Sequence, residues 1–449
     1  MEKPPRINQV TTDVENNEHI ESLDEQIFER LQAINISVLP NLKPDFEALK
    51  EQKSKFLSGE IDCPYLTYDR LEKVDFDKKE VLLQSLKDDL STADYPEPIV
   101  REYQWVINEK IAKVRMLKET KQLGDEETDS RHAYRFAKYS EYIYGKPKKP
   151  VFDTTLSYVK QKLDEIPVDS DVRDSEAFTV LRDILSRADE NLPPLPNMQA
   201  KEHGEPITSI SEIVELFEQG LEKYGLIEYG WTVVVDETGE RDKIAVSQGK
   251  KQVLLPSESV LLNNRSKARA LTPEMIAGLI QHEIGVHAVR AKNGSDSELK
   301  LLQIGFDRYE IYEEGFATLL EQIAAGADDY AGFHGYFAAG LAKGLDNHDE
   351  RNFAEVFNIL AAYFEVCEGE DSEKAKELAW IRCLRTFRGT TGKVPGVIYT
   401  KDIIYREGNI KMHEMYADGT LDMKKALIGK YGIANPRHLA VMREIGIDV

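Results

Sequence analysis

Residues 272–294 read TPEMIAGLIQHEIGVHAVRAKNG, and both the fold class and the chemistry of the chain turn on this stretch. It opens as a helix: Thr272 is an N-cap residue, Pro273 suits the first turn, and Glu274 lies near the positive end of the dipole. Gly294 is the expected C-cap. Between Met275 and Val289 the segment is apolar on nearly every side, which predicts a buried helix rather than a surface one. Into that segment the sequence sets His282, Glu283 and His287. Burying one such group without a partner costs about 1–3 kcal/mol. A metal ion would satisfy all three together; the plainer alternative is two histidines bonded to carbonyls in the core.

The pattern is HExxxH, one residue longer than HExxH, in which histidines at i and i+4 stand about 40° apart around the helix and reach one zinc. At i and i+5 an unbroken α-helix separates them by roughly 140°. A π-bulge, one inserted residue, restores the alignment, and such bulges concentrate at functional sites. The sequence therefore predicts a bulge or kink between Ile284 and His287, with Gly285 relaxing the backbone there. The chain has 9 histidines and 80 acidic residues in 449 positions. At those frequencies HExxxH arises by chance in roughly one or two such chains in a hundred, which favours a metal site over coincidence. Glu283, beside the first histidine, is then the general base.

A catalytic zinc takes three protein ligands and keeps a fourth position open. The third is sought on a following helix, and FDRYEIYEEGFATLLEQIAAG at 306–326 supplies one, with apolar residues at helical spacing from Ile311 to Ile323. Glu314 sits beside Gly315, where the lack of a side chain lets two helices approach closely. On spacing alone Glu310 and Glu313 remain competitors.

Outward from the motif, the chain divides. Hydrophobic residues are 41% and charged residues 31%, as in ordinary globular proteins. Residues 1–17 are expected to be a flexible tail, and 18–195 a helical N-terminal region built from amphipathic segments such as IFERLQAI and VLLQSLKDDL. Prolines in Asn191-Leu-Pro-Pro-Leu-Pro196 mark a linker, and 196–449 reads as the catalytic domain. There a short helix near 210–224 precedes WTVVVDE, KIAVSQGKKQVLLP and SESVLL, which predict strands of a small antiparallel sheet. The expected fold class is α+β, mostly α-helical, with a buried active-site helix. A formal charge of −22 disfavours nucleic acid and anionic membranes as partners. Three scattered cysteines, Cys63, Cys367 and Cys383, suit a reducing compartment, and with no apolar leader or membrane span the expected location is the cytoplasm.

HEIGVH followed by YEIYEEGFA resembles the bacterial QEGLA-motif proteins and the related microtubule-associated tyrosine carboxypeptidases. AYRFAKYSEYIYGKP and RCLRTFRGTTGKVPGVIYTKDIIYREG extend the resemblance over most of the chain. It implies a zinc peptidase, one Zn2+ per chain, that trims a protein or peptide C-terminal tail, with His282, His287 and Glu314 as ligands and Glu283 as acid and base. The chain reads EEGFA where that family commonly reads QEGLA or EEGLA, a change of packing that leaves the glutamate in place. Tubulin is not assigned as substrate, because so acidic a chain has no general attraction to an acidic polymer.

A carboxypeptidase needs a cation for the substrate's terminal carboxylate. Arg385 and Arg388, three apart on a helix expected to end at Gly389, share a face and are the candidates. Tyr405, and after it His413, are candidates to donate to the oxyanion. The strand KKQVLLP, marked as an edge by Pro256, is a candidate to pair with substrate backbone, and His334 reads as a packing residue. Two other classes stay open: a zinc-binding regulatory protein without turnover, and a metallo-endopeptidase or aminopeptidase.

Overall fold

The computed structural model describes residues 16–34, 36, 38–123, 126–188, 191–198, 200–238, 241, 243–263 and 271–448. The expected tail therefore lies almost wholly outside the described residues; the first helix is Asn16–Ile34. The described chain is mostly helical with a small mixed sheet, the α+β class that the sequence implies. Between the helix Glu176–Arg187 and the helix Ile210–Lys223, the described residues 191–198 and 200–209 carry no regular secondary structure, as their proline content dictates.

Apolar packing explains why the 272–294 stretch is hydrophobic all round. One apolar cluster gathers Ile276, Ile280, Ile284, Ala288 and Ala291 with the helix Ile210–Lys223 and the sheet. These positions recur every three or four residues and form one face. The opposite side contributes Val286 to a second cluster, with Phe316, Leu319 and Met412. A third and larger cluster runs from Ile27 to Met442, so the N-terminal helices and the helices after Leu299 share one core.

Thr272 does cap the motif helix, accepting from the Met275 N–H at 3.4 Å. The helix continues past Gly294 to Asp296, so Gly294 is not the C-cap. A Cβ there would lie 2.4 Å from the Leu302 carbonyl oxygen; the glycine makes room for the returning chain.

The sheet differs from expectation in two ways. Its strands β1 (Thr232–Val235), β2 (Ala245–Ser247) and β3 (Gln252–Leu255) lie in the order β1-β3-β2, with β1 and β3 parallel and only β2 and β3 antiparallel. The strand from KKQVLLP is thus the centre, not an edge. Pro256 falls one residue beyond its ladder, so its missing N–H costs no strand pairing. SESVLL is not a strand. The Val260 and Leu261 N–H groups both bond the Ser257 carbonyl at 3.0 Å, and a short helical turn, Ser259–Asn263, forms in place of extended chain.

Close helix crossings fix the motif. Gly278, rather than Gly315, lets the motif helix approach the helix Glu310–Ala325, its Cβ position lying 3.0 Å from the Glu321 carbonyl oxygen. Gly315 faces the helix Ile403–Ala417, where a Cβ would come within 2.3 Å of Gly408 backbone. Gly315→Ala should destabilise the protein by about 1–3 kcal/mol, because backbone cannot move aside as a side chain does. Chemical denaturation of the variant tests this; unchanged stability would show that the two helices can separate freely.

Candidate metal centre and cleft

The expected bulge is present: residues Gln281–Ala288 form a π-helical stretch between α-helical Pro273–Ile280 and Val289–Asp296. Hydrogen bonding from i+5 to i, seen where the Val289 N–H meets the Ile284 carbonyl, brings His282 and His287 onto one face. Their ring centroids are 5.0 Å apart. Gly285 plays a different part from the one expected. Its backbone has no left-handed torsion, and a Cβ there would lie 2.7 Å from the Tyr224 hydroxyl, which donates to Gln281 on the same turn.

The Nε2 atoms of His282 and His287 each lie 3.7 Å from one oxygen of Glu314, Oε2. One potential ligand atom from each of these three residues falls within 4.8 Å of the others. Behind them, His282 Nδ1 is 2.8 Å from Glu321 Oε2 and His287 Nδ1 is 2.8 Å from Glu313 Oε1. A carboxylate only accepts, so each Nδ1 carries a proton, and in its neutral form each ring turns an Nε2 lone pair toward Glu314. Two imidazole lone pairs and a carboxylate facing one point are a donor set for a cation, and nitrogen with oxygen suits zinc.

Charge supports the fit. Burial alone would lower the His282 pKa, but the Glu321 hydrogen bond and charge, with Glu283 and Glu314, outweigh it and raise it to about 9. His287 is raised in the same way against burial, by Glu313 and Glu314. The cluster attracts positive charge. Burial pushes the Glu283 carboxyl up while the two histidines pull it back. Glu313, opposed by burial, is nevertheless held down to about 2 by Arg290 and His287. Arg290 is itself buried, its Nη1 3.4 Å from Glu313 while Nε and Nη2 donate to the Gly429 and Tyr431 carbonyls at 2.7 Å each.

A second group, Glu102, Asp307 and His438, also brings ligand-type atoms within 4.8 Å. Its chemistry is different. His438 Nδ1 accepts the Gly432 N–H at 2.9 Å, so the proton of the neutral ring sits on Nε2, which faces Asp307. Arg437 also bonds Asp307. With its inward nitrogen protonated and a guanidinium in place, this cluster is an ion-pair network and not a metal site.

The first triad opens on a cleft of about 620 Å³. Glu283 and Tyr405 line it, and Lys243 to Val246, which include part of β2, form one wall. The same cleft is lined by Arg382, Arg385, Lys401 and Asp402. Arg385 bonds the Asp402 carboxylate through Nε and Nη2, both at 3.0 Å, and Arg382 approaches it at 3.4 Å. Burial would raise Asp402, but Arg385, Arg388 and Arg382 hold it well below the usual carboxylate range. Asp402 is thus bonded by Arg385 and approached by Arg382, with Arg388 adding to the positive field.

Not every candidate is gathered here. The helix carrying Arg385 is Ser372–Phe387 and stops before Arg388, whose extended backbone turns it off the shared face. Arg388 donates to the Arg385 carbonyl, lies over the Tyr399 ring and does not line the cleft. His413 bonds Gln322 at 2.8 Å, away from the cleft lining. His334 does line the cleft, bonded to Glu368 and stacked on Phe364. Of the three acids in competition, Glu314 faces the histidines, Glu313 stands behind His287, and Glu310 pairs with Lys401 at 2.7 Å. Sequence reading missed Glu321, Arg382 and Lys401. The signal for Glu321 was its seven-residue spacing from Glu314, two turns along one face.

Comparison with known families bears on this cleft. The model of the family described as microtubule-associated tyrosine carboxypeptidase matches residues 192–448, more than half of the chain. The chain belongs to this family. No curated protein matches it.

Glu313→Ala should weaken zinc binding about 10- to 100-fold, the usual effect of removing a carboxylate behind a histidine ligand. Competition against a chromophoric chelator measures it. Equal affinity in the variant and the parent would remove Glu313 from the site.

Proposed function

We propose that this protein is a zinc-dependent carboxypeptidase that removes residues from the C-terminal tail of a peptide or protein. The observation that carries the reading is a single cleft lined both by the converging imidazole and carboxylate donors and by the guanidiniums of Arg382 and Arg385. His282, His287 and Glu314 would hold one Zn2+. When bound, zinc supplies Lewis acidity to the scissile carbonyl and lowers the pKa of an attacking water.

The chain's own residues do the rest. Glu283, buried beside the two histidines, takes a proton from the attacking water and delivers it to the leaving amine. Tyr405, close enough to Glu314 to feel its charge, donates its hydroxyl to the developing oxyanion. Arg385 receives the substrate's terminal carboxylate, held ready by its bidentate contact with Asp402. Arg388 acts at a distance, adding to the positive field at Asp402. One edge of β2 borders the cleft, so a tail can add to the sheet there and not at β3.

Arg382, Arg385 and Lys401 in the cleft lining favour a free carboxylate over a free amine, which distinguishes this reading from an aminopeptidase. Glu283 distinguishes it from a regulatory zinc protein, since a structural site needs no base. The family's description names a terminal tyrosine and microtubules. With a net charge of −22 the chain has no overall pull toward an acidic polymer, so the proposal stops at a C-terminal tail. No described helix is long and apolar enough to cross a membrane, and the three cysteines are unpaired; a cytoplasmic location fits both.

Glu283→Gln should keep zinc and lose hydrolysis by about 100-fold or more, the share of a positioned acid–base group. Peptides with free and amidated C-termini, incubated with and without chelator and read by mass spectrometry, test the direction of attack. Chelator-sensitive loss of terminal residues from the free acids alone is expected. Internal cuts, or cleavage that ignores the chelator, would sink the proposal.

A further inference from the structure

The family match begins at residue 192, yet part of the cleft is held in place from before that point. Lys401 and Asp402 belong to a three-residue 3-10 turn, Thr400–Asp402, too short to fix its own geometry. Its support comes from the helix Glu126–Tyr144. The Ser140 hydroxyl accepts the Thr400 N–H at 2.8 Å and lies 3.0 Å from the Thr400 hydroxyl, with Ser140 and Thr400 both buried. One turn further along, the Tyr144 hydroxyl accepts that of Tyr399 at 3.0 Å, their rings meeting edge to face. The Lys401 ammonium lies 5.8 Å from the centre of the Tyr144 ring. From the neighbouring helix Glu97–Lys121, Lys113 reaches Glu310 at 3.6 Å, the carboxylate that pairs with Lys401.

Resting on the carboxypeptidase reading, we infer that Ser140 and Tyr144 are positioning residues for recognition of the substrate's terminal carboxylate. They fix the 399–402 segment from behind, and through it the Lys401 ammonium and the Asp402 carboxylate that orients Arg385 and Arg382. The N-terminal helices are thus part of the substrate-recognition apparatus. Neither residue approaches the histidines, so the role separates from metal binding and from the chemical step.

Ser140→Ala and Tyr144→Phe each remove a single oxygen atom from the full chain, and either one serves if the other fails to fold. For both, kcat and KM are measured on a free-acid peptide, the inhibition constant on its C-terminal amide, and zinc content by metal analysis. The expected result is a KM raised about fivefold to tenfold, the worth of one lost hydrogen bond. The kcat, the zinc content and the amide's inhibition constant should stay as in the parent. Combined with Arg385→Ala, either change should add little, because both act on the same contact. Unchanged KM in both variants overturns the inference, as does equal weakening of the acid and the amide, which marks general loosening of the fold. A parent protein that does not prefer the free acid defeats the carboxypeptidase reading instead.

Discussion

The cleft depends on one backbone constraint, the π-helical step through residues 281–288. It converts a five-residue separation, which an α-helix would splay, into two imidazoles on a common face. Such a step is held only when its surroundings leave no better arrangement. Here the motif helix is gripped on one face by isoleucines and alanines of one apolar cluster and on the other by the cluster containing Val286. Gly278 and Gly285 admit the Glu321 carbonyl and the Tyr224 hydroxyl at distances that a side chain would block.

Carboxylates govern the electrostatics of that face. Each histidine gives its Nδ1 proton to an acid of the helix Glu310–Ala325, and Glu314 of the same helix faces both Nε2 atoms. A single helix therefore supplies the inner acid and the two outer ones, at positions 313, 314 and 321. The outer pair is unequal: Glu313 is buried against Arg290, which is anchored on the 429–431 backbone, whereas Glu321 is partly open to the cleft. His287 is accordingly tied to the C-terminal segment and His282 to the cleft wall. The contrast with His438, whose Nδ1 accepts and whose Nε2 is protonated, shows how one hydrogen bond behind a ring decides whether its inward nitrogen can meet a cation.

The basic part of the cleft lining is assembled from segments far apart in the chain. Arg382 and Arg385 come from one helix, Lys401 and Asp402 from a short turn, and the backing from helices that precede residue 150. The shared core running from Ile27 to Met442 makes this possible, since it sets the N-terminal helices directly against the 399–402 segment. This part of the lining is then a property of the assembled molecule.

The sequence by itself determined the motif helix and its N-cap, the bulge demanded by HExxxH, the irregular proline-rich stretch after residue 190, and the mostly helical class, because caps, prolines and hydrophobic period act over a few residues. It narrowed the third acid to Glu310, Glu313 or Glu314, with family resemblance pointing to the last. Only tertiary structure gave each of the three a different partner. It also put β3 at the centre of the sheet, turned Arg388 away from the cleft, and showed which groups face Gly285, Gly294 and Gly315. These outcomes rest on contacts between residues tens to hundreds of positions apart. Local periodicity tells which face of an element is buried but not what it meets there, so strand order, hydrogen-bond partners and close approaches were decided by packing alone.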